Sequence, residues 1–143
     1  LTGWKSVKNE SAFEAPEFVL KDNTLRFEEG SMNVMGIVGL GAAIGLLQEV
    51  GIERIERQVL SLGEVIIGEA DERGMRVLTP RNAKERGGIV TVAGDFDAPR
   101  VRENLRKKGI MVNCRAGGIR ISPHFYNSEE DIRELFAVLD TMR

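Results

Sequence analysis

The chain holds one cysteine, one histidine, one tryptophan, one tyrosine and four prolines in 143 residues. Each scarcity removes a class of function. A lone Cys114 forms no internal disulfide and builds no cysteine-cluster metal site. A lone His124 leaves no pair of imidazoles for zinc, and no serine or cysteine has a recognisable histidine partner for triad chemistry. Excess positive charge is lacking too. Lys and Arg number 20 against 22 Asp and Glu, for a formal net charge of −2. The basic residues are scattered rather than gathered into one stripe, so nucleic acid is not an expected partner. No apolar run is long enough for a membrane span: Val34 to Leu47 has fourteen residues, where a bilayer requires roughly 20. The polar, interrupted N-terminus does not read as a signal peptide. Asn9-Glu10-Ser11 spells a glycosylation acceptor, but nothing else points to secretion, and the sparse cysteine fits a reducing, cytoplasmic setting.

What is present begins with Phe27 to Leu47. A Gly30-Ser31-Met32-Asn33 turn stands directly before a long apolar helix. Gly30 is able to take a positive φ, and Ser31 and Asn33 are good helix caps. The free N–H groups of the first turn then face outward, toward an anion. The helix is apolar nearly all round, which predicts burial. Residues 1–29 are irregular and carry Trp4, Phe13, Phe18 and Phe27 with no clean period, broken by Pro16. Such an arm cannot bury those rings alone. Leu1 is not an initiator residue, and the chain opens mid-pattern at Leu-Thr-Gly-Trp, which predicts a piece of a longer protein.

From residue 34 the pattern is regular. A glycine-rich helix runs over 34–50 and stops at Gly51. A second helix runs from Ile52 to Glu72, with Ile52, Ile55, Val59, Leu62, Ile66 and Ala70 on one stripe, and Gly74 ends it. Strands are predicted at Met75–Thr79, Gly88–Ala93, Ile110–Asn113 and Ile119–Ser122, with a turn at Gly117-Gly118. Between the second and third strands, Asp97 and Pro99 open a helix that Gly109 closes. Asn127 or Ser128 caps the last helix, with Glu130 or Asp131 closing a capping box. Ile132, Leu135, Phe136, Leu139 and Met142 form its apolar face. The order α-β-β-α-β-β-α from residue 52 predicts an α+β sandwich: helices on one face of a mainly antiparallel sheet, preceded by a long linking helix.

A few residues are suited to chemistry. Arg120 lies between Ile119 and Ile121, so alternation sends it to the face opposite them. An arginine there, near a Gly-Gly turn, is suited to a bidentate grip on a carboxylate, or it is a solvated strand residue. Arg115 precedes small residues that permit close approach of a ligand, or it is an ordinary turn arginine. Ser31 is a hydroxyl for a phosphate oxygen, or a plain cap. His124 reads as a packed or surface residue and Cys114 as a half-buried structural thiol.

Three motifs taken together resemble the C-terminal part of class V aminotransferases. They are Gly3-Trp4-x-Ser6-Val7, then Phe27-Glu28-x-Gly30-Ser31-x-Asn33-x-x-Gly36-Ile37-x-Gly39-Leu40-x-Ala42-Ala43-Ile44, and then Arg120-Ile-Ser-Pro-His-Phe-Tyr-Asn127 before an acidic helix start. That family comprises pyridoxal-phosphate enzymes of fold type I, including cysteine desulfurases, kynureninases and isopenicillin N epimerase-like proteins. The resemblance covers essentially the whole chain in order. It implies that Gly30 and Ser31 contact the cofactor phosphate of a neighbouring subunit, with Ser in place of Thr. It implies that Arg120 binds the α-carboxylate of an amino-acid substrate, with Arg115 as a second substrate-binding residue. It further implies a homodimer and an upstream large domain of the same protein. Residues 1–33 would then be the end of that domain, 34–51 the linking helix and 52–143 the small domain.

The chain departs from the family in two ways. The Schiff-base lysine belongs upstream of Gly3-Trp4, and none of Lys5, Lys8, Lys21, Lys84, Lys107 and Lys108 sits in desolvating surroundings. The resemblance therefore implies that no catalytic residue lies in this chain and that the chain alone is inactive. Cys114 also precedes Arg115-Ala116-Gly117 instead of following it on a loop, which argues against a desulfurase and leaves aminotransferase, epimerase or lyase chemistry. Two rival readings remain at this level. One is a free-standing α+β ligand-binding or regulatory module without catalysis, and the other is a purely structural dimerisation domain.

Overall fold

The computed structural model of the chain describes residues 1–12, 14 and 18–142. Phe13 and Pro16 of the aromatic arm lie outside the described residues. The chain divides into two compact units, Leu1–Leu46 and Leu47–Arg143.

The first unit is knitted by backbone around Ser6, which is fully buried. The Gly3 N–H donates to Ser6 Oγ at 3.0 Å. The Ser6 N–H donates back to the Gly3 carbonyl at 3.0 Å, and the Lys21 N–H donates to the Ser6 carbonyl at 3.0 Å. Val7 and Leu20 form an isolated antiparallel bridge. A short 3-10 turn, Thr24–Phe27, is capped by Asn23, whose side chain accepts from the Leu25 N–H. Trp4, Phe18 and Phe27 are all exposed, as expected of an arm too thin to enclose them.

Helix α1, Val34–Val50, has the predicted limits but not the predicted burial: none of its residues is buried. A helix apolar around its whole circumference needs neighbours on every side, and the described residues do not supply them. Its cap is Asn33, whose Oδ1 accepts from the Gly36 N–H at 2.9 Å. Ser31 is therefore not the cap. Gly30 is also not among the positive-φ glycines. Its Cα instead faces the Trp4 indole, where an added Cβ would stand 3.5 Å from Nε1. No single helix among the described residues is long and apolar enough to cross a membrane.

The second unit holds the sheet. Helix α2, Ile52–Glu72, begins after Gly51 at φ 92 and is followed by Gly74 at φ 64, both conformations that favour glycine. Its stripe is buried only from Leu62 onward, through Ile66, Ile67 and Ala70, whereas Ile52 is exposed. Strands β1 (Arg76–Val77), β2 (Val90–Ala93), β3 (Asn113–Arg115) and β4 (Gly118–Ile121) form one antiparallel sheet in the order β1-β2-β4-β3. Helix α3 (Ala98–Lys107) and helix α4 (Glu129–Asp140) complete the unit. The core joins Leu62, Ile66 and Ala70 of α2 to Val90, Val92, Ile119 and Ile121 of the sheet. Val101 and Leu105 of α3 and Ile132, Leu135, Phe136 and Leu139 of α4 close it.

All four strands have bounds that differ from the sequence reading. β1 is only two residues long because Thr79 is used through its side chain: the Thr91 N–H donates to Thr79 Oγ1 at 2.9 Å. β2 starts at Val90, two residues after Gly88, which lies against Val59 with no room for a Cβ. β3 starts at Asn113 rather than Ile110 because the Ile110 N–H is taken by the Leu105 carbonyl at 3.0 Å, closing the end of α3. The turn then falls on Ala116 (φ 50) and Gly117 (φ 76), a tight hairpin of two left-handed residues. Gly118 belongs to β4, where an added Cβ would overlap the Val92 carbonyl oxygen.

Helix caps follow the sequence closely. Asp97 accepts from the Arg100 N–H at 3.1 Å, with a proline in the first turn of α3. Ser128 and Asp131 form the full capping box of α4. The Ser128 backbone N–H and the Asn127 side-chain amide hold the Asp131 carboxyl below the usual carboxylate range.

Ser128→Ala is expected to lower stability by about 1 kcal/mol, read from urea unfolding. Asp131 has a depressed pKa in the folded state, so its contribution is complete above the unfolded carboxylate pKa near ~4 and is lost as pH falls through the folded value. The wild-type chain should thus lose stability toward low pH faster than Asp131→Asn, and parallel curves would refute this. Gly118→Ala should cost about 2–3 kcal/mol by the same measurement, because backbone must shift to admit the methyl group.

Candidate functional site

The antiparallel register decides which side chains share a face. Thr91 of β2 stands opposite Arg120 of β4, and Arg120 stands opposite Asn113 of β3. Residues directly opposite point the same way, so Asn113, Arg120 and Thr91 form one polar row. One step along, Arg115 pairs with Gly118 on that same face. Arg76 of β1 pairs with Ala93, which also lies on it by alternation from Thr91. The opposite face carries Val90, Val92, Ile119 and Ile121, all buried in the core beneath the helices. No strand residue on the arginine face is acidic.

Burial falls across this face from the centre to the β3 edge. Thr91 is buried, Arg120 is half-buried, and Asn113 and Arg115 are exposed. The Arg120 Nε atom is buried and makes no hydrogen bond. The side chains of Arg76, Arg115 and Arg120 have no hydrogen-bond or ion-pair partner among the described residues. Among the other arginines of this unit, Arg54, Arg57, Arg100 and Arg102 also lack a side-chain hydrogen-bond or ion-pair partner among the described residues, whereas Arg81 pairs with Asp71 at 2.6 Å, Arg106 with Glu103 at 3.0 Å and Arg133 with Glu129 at 2.7 Å. Those bonds hold the Asp71 and Glu103 carboxyls below the usual range. A half-buried guanidinium with one unsatisfied edge is costly until an anion reaches it.

Gly30 and Ser31 lie in the first unit, Arg115 and Arg120 in the second. Ser31 is exposed, and its hydroxyl makes no hydrogen bond to the described residues. The turn that carries it is anchored by the Gly3-Trp4 motif: the Lys5 N–H donates to the Glu29 carbonyl at 3.4 Å, and a Cβ at Gly3 would overlap that same carbonyl. The two glycine motifs that frame the arm thus meet in space.

Cys114 pairs with Ile119 and packs against the core, so its thiol is on the face opposite Arg120. His124 is half-buried, stacked on Tyr126 at 5.2 Å and edge-on to Phe125 at 4.9 Å. No lysine is enclosed. Lys8 pairs with Asp22, Lys21 pairs with Glu10, and Lys5 lies over the Trp4 ring. Among the described residues no cluster of His, Cys, Asp and Glu is able to hold a metal ion.

Sequence reasoning found both arginines of the hairpin but missed Thr91, Asn113 and Arg76. Their membership of the face depends on strand register, which pairs residues far apart in sequence, as Thr91 with Arg120, 29 positions away.

The class V aminotransferase family model matches residues 6–135. A probable cysteine desulfurase of Pyrococcus abyssi is 30% identical over 135 residues, covering 82% of this chain and 33% of that protein. A kynureninase of Geobacillus thermodenitrificans is 25% identical over 146 residues, covering 97% of this chain and 34% of that protein. The apo structure of a cysteine desulfurase from Thermococcus onnurineus superposes with a TM-score of 0.81 at 27% identity, over 99% of this chain and 38% of the other. The chain therefore spans about a third of the length of the curated relatives it matches. With the family model matching from Ser6 to Leu135, across both the arm and the sheet, this chain belongs to the class V aminotransferases.

Proposed function

We propose that this chain is the C-terminal portion of a pyridoxal-phosphate-dependent enzyme acting on an amino acid. The observation that carries the reading is Arg120: half-buried, with a buried and unpaired Nε, on a sheet face without acid. A carboxylate is the anion that a planar guanidinium fork matches best, and every amino acid supplies one. Arg120 orients that carboxylate, with Thr91 and Asn113 beside it in the row and Arg115 as the second substrate contact.

The donor set at Gly30-Ser31 fits a phosphate. The Ser31 hydroxyl is exposed and not used for capping, since Asn33 does that work. The cofactor, when bound, supplies the electron sink at the substrate α-carbon. Ser31 and the Gly30 backbone hold its phosphate, in a homodimer across the subunit boundary. The apolar surface of α1 and the exposed rings of the arm are the surfaces that the upstream domain and the second subunit cover. None of the chain's lysines has the desolvated amine that anchors the cofactor, so the chain by itself is inactive. The Cys114 thiol faces the core, which favours transaminase, epimerase or lyase chemistry over sulfur transfer through this cysteine.

In the full-length enzyme, Arg120→Ala should weaken substrate binding by about 2 kcal/mol or more, as for a lost charge-assisted hydrogen bond, with the folded state intact by circular dichroism. Unchanged substrate affinity would sink the assignment. Ser31→Ala should speed cofactor loss on dialysis, followed by absorbance of the retained cofactor, and equal retention in variant and wild type would remove Ser31 from the phosphate site.

A further inference from the structure

Arg115 and Arg120 stand in a specific relation. Arg115 pairs with Gly118, two residues before Arg120 on β4, so the two arginines are diagonal neighbours on one face. Diagonal neighbours on adjacent strands lie about 7–8 Å apart, within reach of two long side chains toward one ligand. Gly118 places no side chain between them, and the hairpin turn beyond is only Ala116 and Gly117. Neither guanidinium has a partner among the described residues, and no acid stands on the face to neutralise them. Two unneutralised cations on one face favour a ligand that brings two negative groups or one doubly charged group.

Their environments are unequal. Arg120 is half-buried on the central strand, whereas Arg115 is exposed at the end of the edge strand. The buried one suits the group common to every amino acid. The outer one suits a group that projects away from it. We propose that Arg115 receives a second acidic group at the far end of the substrate side chain, so that the enzyme selects dicarboxylic amino acids. This rests on the carboxylate role of Arg120 proposed above and assigns Arg115 a separate, specificity-determining one. Arg76 adds positive potential from the opposite edge of the same face.

The test uses the full-length, cofactor-loaded enzyme and its Arg115→Ala, Arg115→Lys and Arg120→Ala variants. Turnover is measured on L-aspartate and L-glutamate against L-alanine. Equilibrium binding is measured by calorimetry with succinate and glutarate against propionate and inorganic phosphate. The wild type should prefer the acidic amino acids. Arg115→Ala should lower kcat/KM for the acidic amino acids about ten-fold or more beyond whatever it costs alanine, as expected when a charge-assisted contact to the side-chain group is lost. Glutarate or succinate binding should fall further than propionate binding, and Arg115→Lys should recover part of both losses. If Arg115→Ala weakens acidic and neutral substrates alike, both arginines serve one carboxylate and the inference fails. Inorganic phosphate binding more tightly than either dicarboxylate, and depending on Arg115, would equally overturn it. If Arg120→Ala leaves every substrate unchanged, it is the underlying carboxylate assignment that falls. An Arg120 effect on all substrates with none confined to the acidic ones leaves that assignment standing and removes this one alone.

Discussion

Strand β4 is paired on both sides, with β2 and with β3, and the rest of the second unit depends on that double pairing. With ladders on both edges the register of four residues is set, and alternation does the sorting. Ile119 and Ile121 go under the helices and become fully buried. Arg120, between them, has one direction left. A slip of one residue would bury the guanidinium among Val92, Leu105 and Phe136 and expose two isoleucines, so core packing itself holds the arginine on its face. Gly118 makes the close approach possible, because only a residue without Cβ fits beside the Val92 carbonyl.

The two hairpin arginines owe their relation to the same constraint. β3 enters the sheet three residues later than its apolar pattern predicts, since Ile110 closes α3 instead of starting the strand. The two-residue turn at Ala116-Gly117 then sets Arg115 opposite Gly118 and Cys114 opposite Ile119. The thiol is thereby committed to the core and the guanidinium to the other face.

The first unit obeys a different logic. It has little apolar interior and is ordered by hydrogen bonds around a buried Ser6, with the Gly3-Trp4 step laid against Glu29-Gly30. Its apolar residues face outward, and so does the whole of α1. Surfaces of this kind, contiguous and apolar, belong to interfaces rather than to solvent. This matches a chain that covers about a third of the relatives it resembles.

The sequence by itself determined the elements whose signals are local. Helix limits were legible at Gly51, Gly74, Asp97-Pro99 and the Ser128–Asp131 box, because caps and stops act within one turn of chain. The layer arrangement was legible from period and order, and the family from three motifs spread along the chain. Arg120 was legible as a face residue because its two neighbours are isoleucines. Only the tertiary structure decided what depends on partners distant in sequence. It showed that α1 finds no cover among the described residues, that Asn33 rather than Ser31 caps it, and that Gly30 faces the Trp4 indole without a positive φ. It also assembled Thr91, Asn113 and Arg76 with the two hairpin arginines. Strand register is set by packing of a whole face at once, and no single residue along the chain announces it.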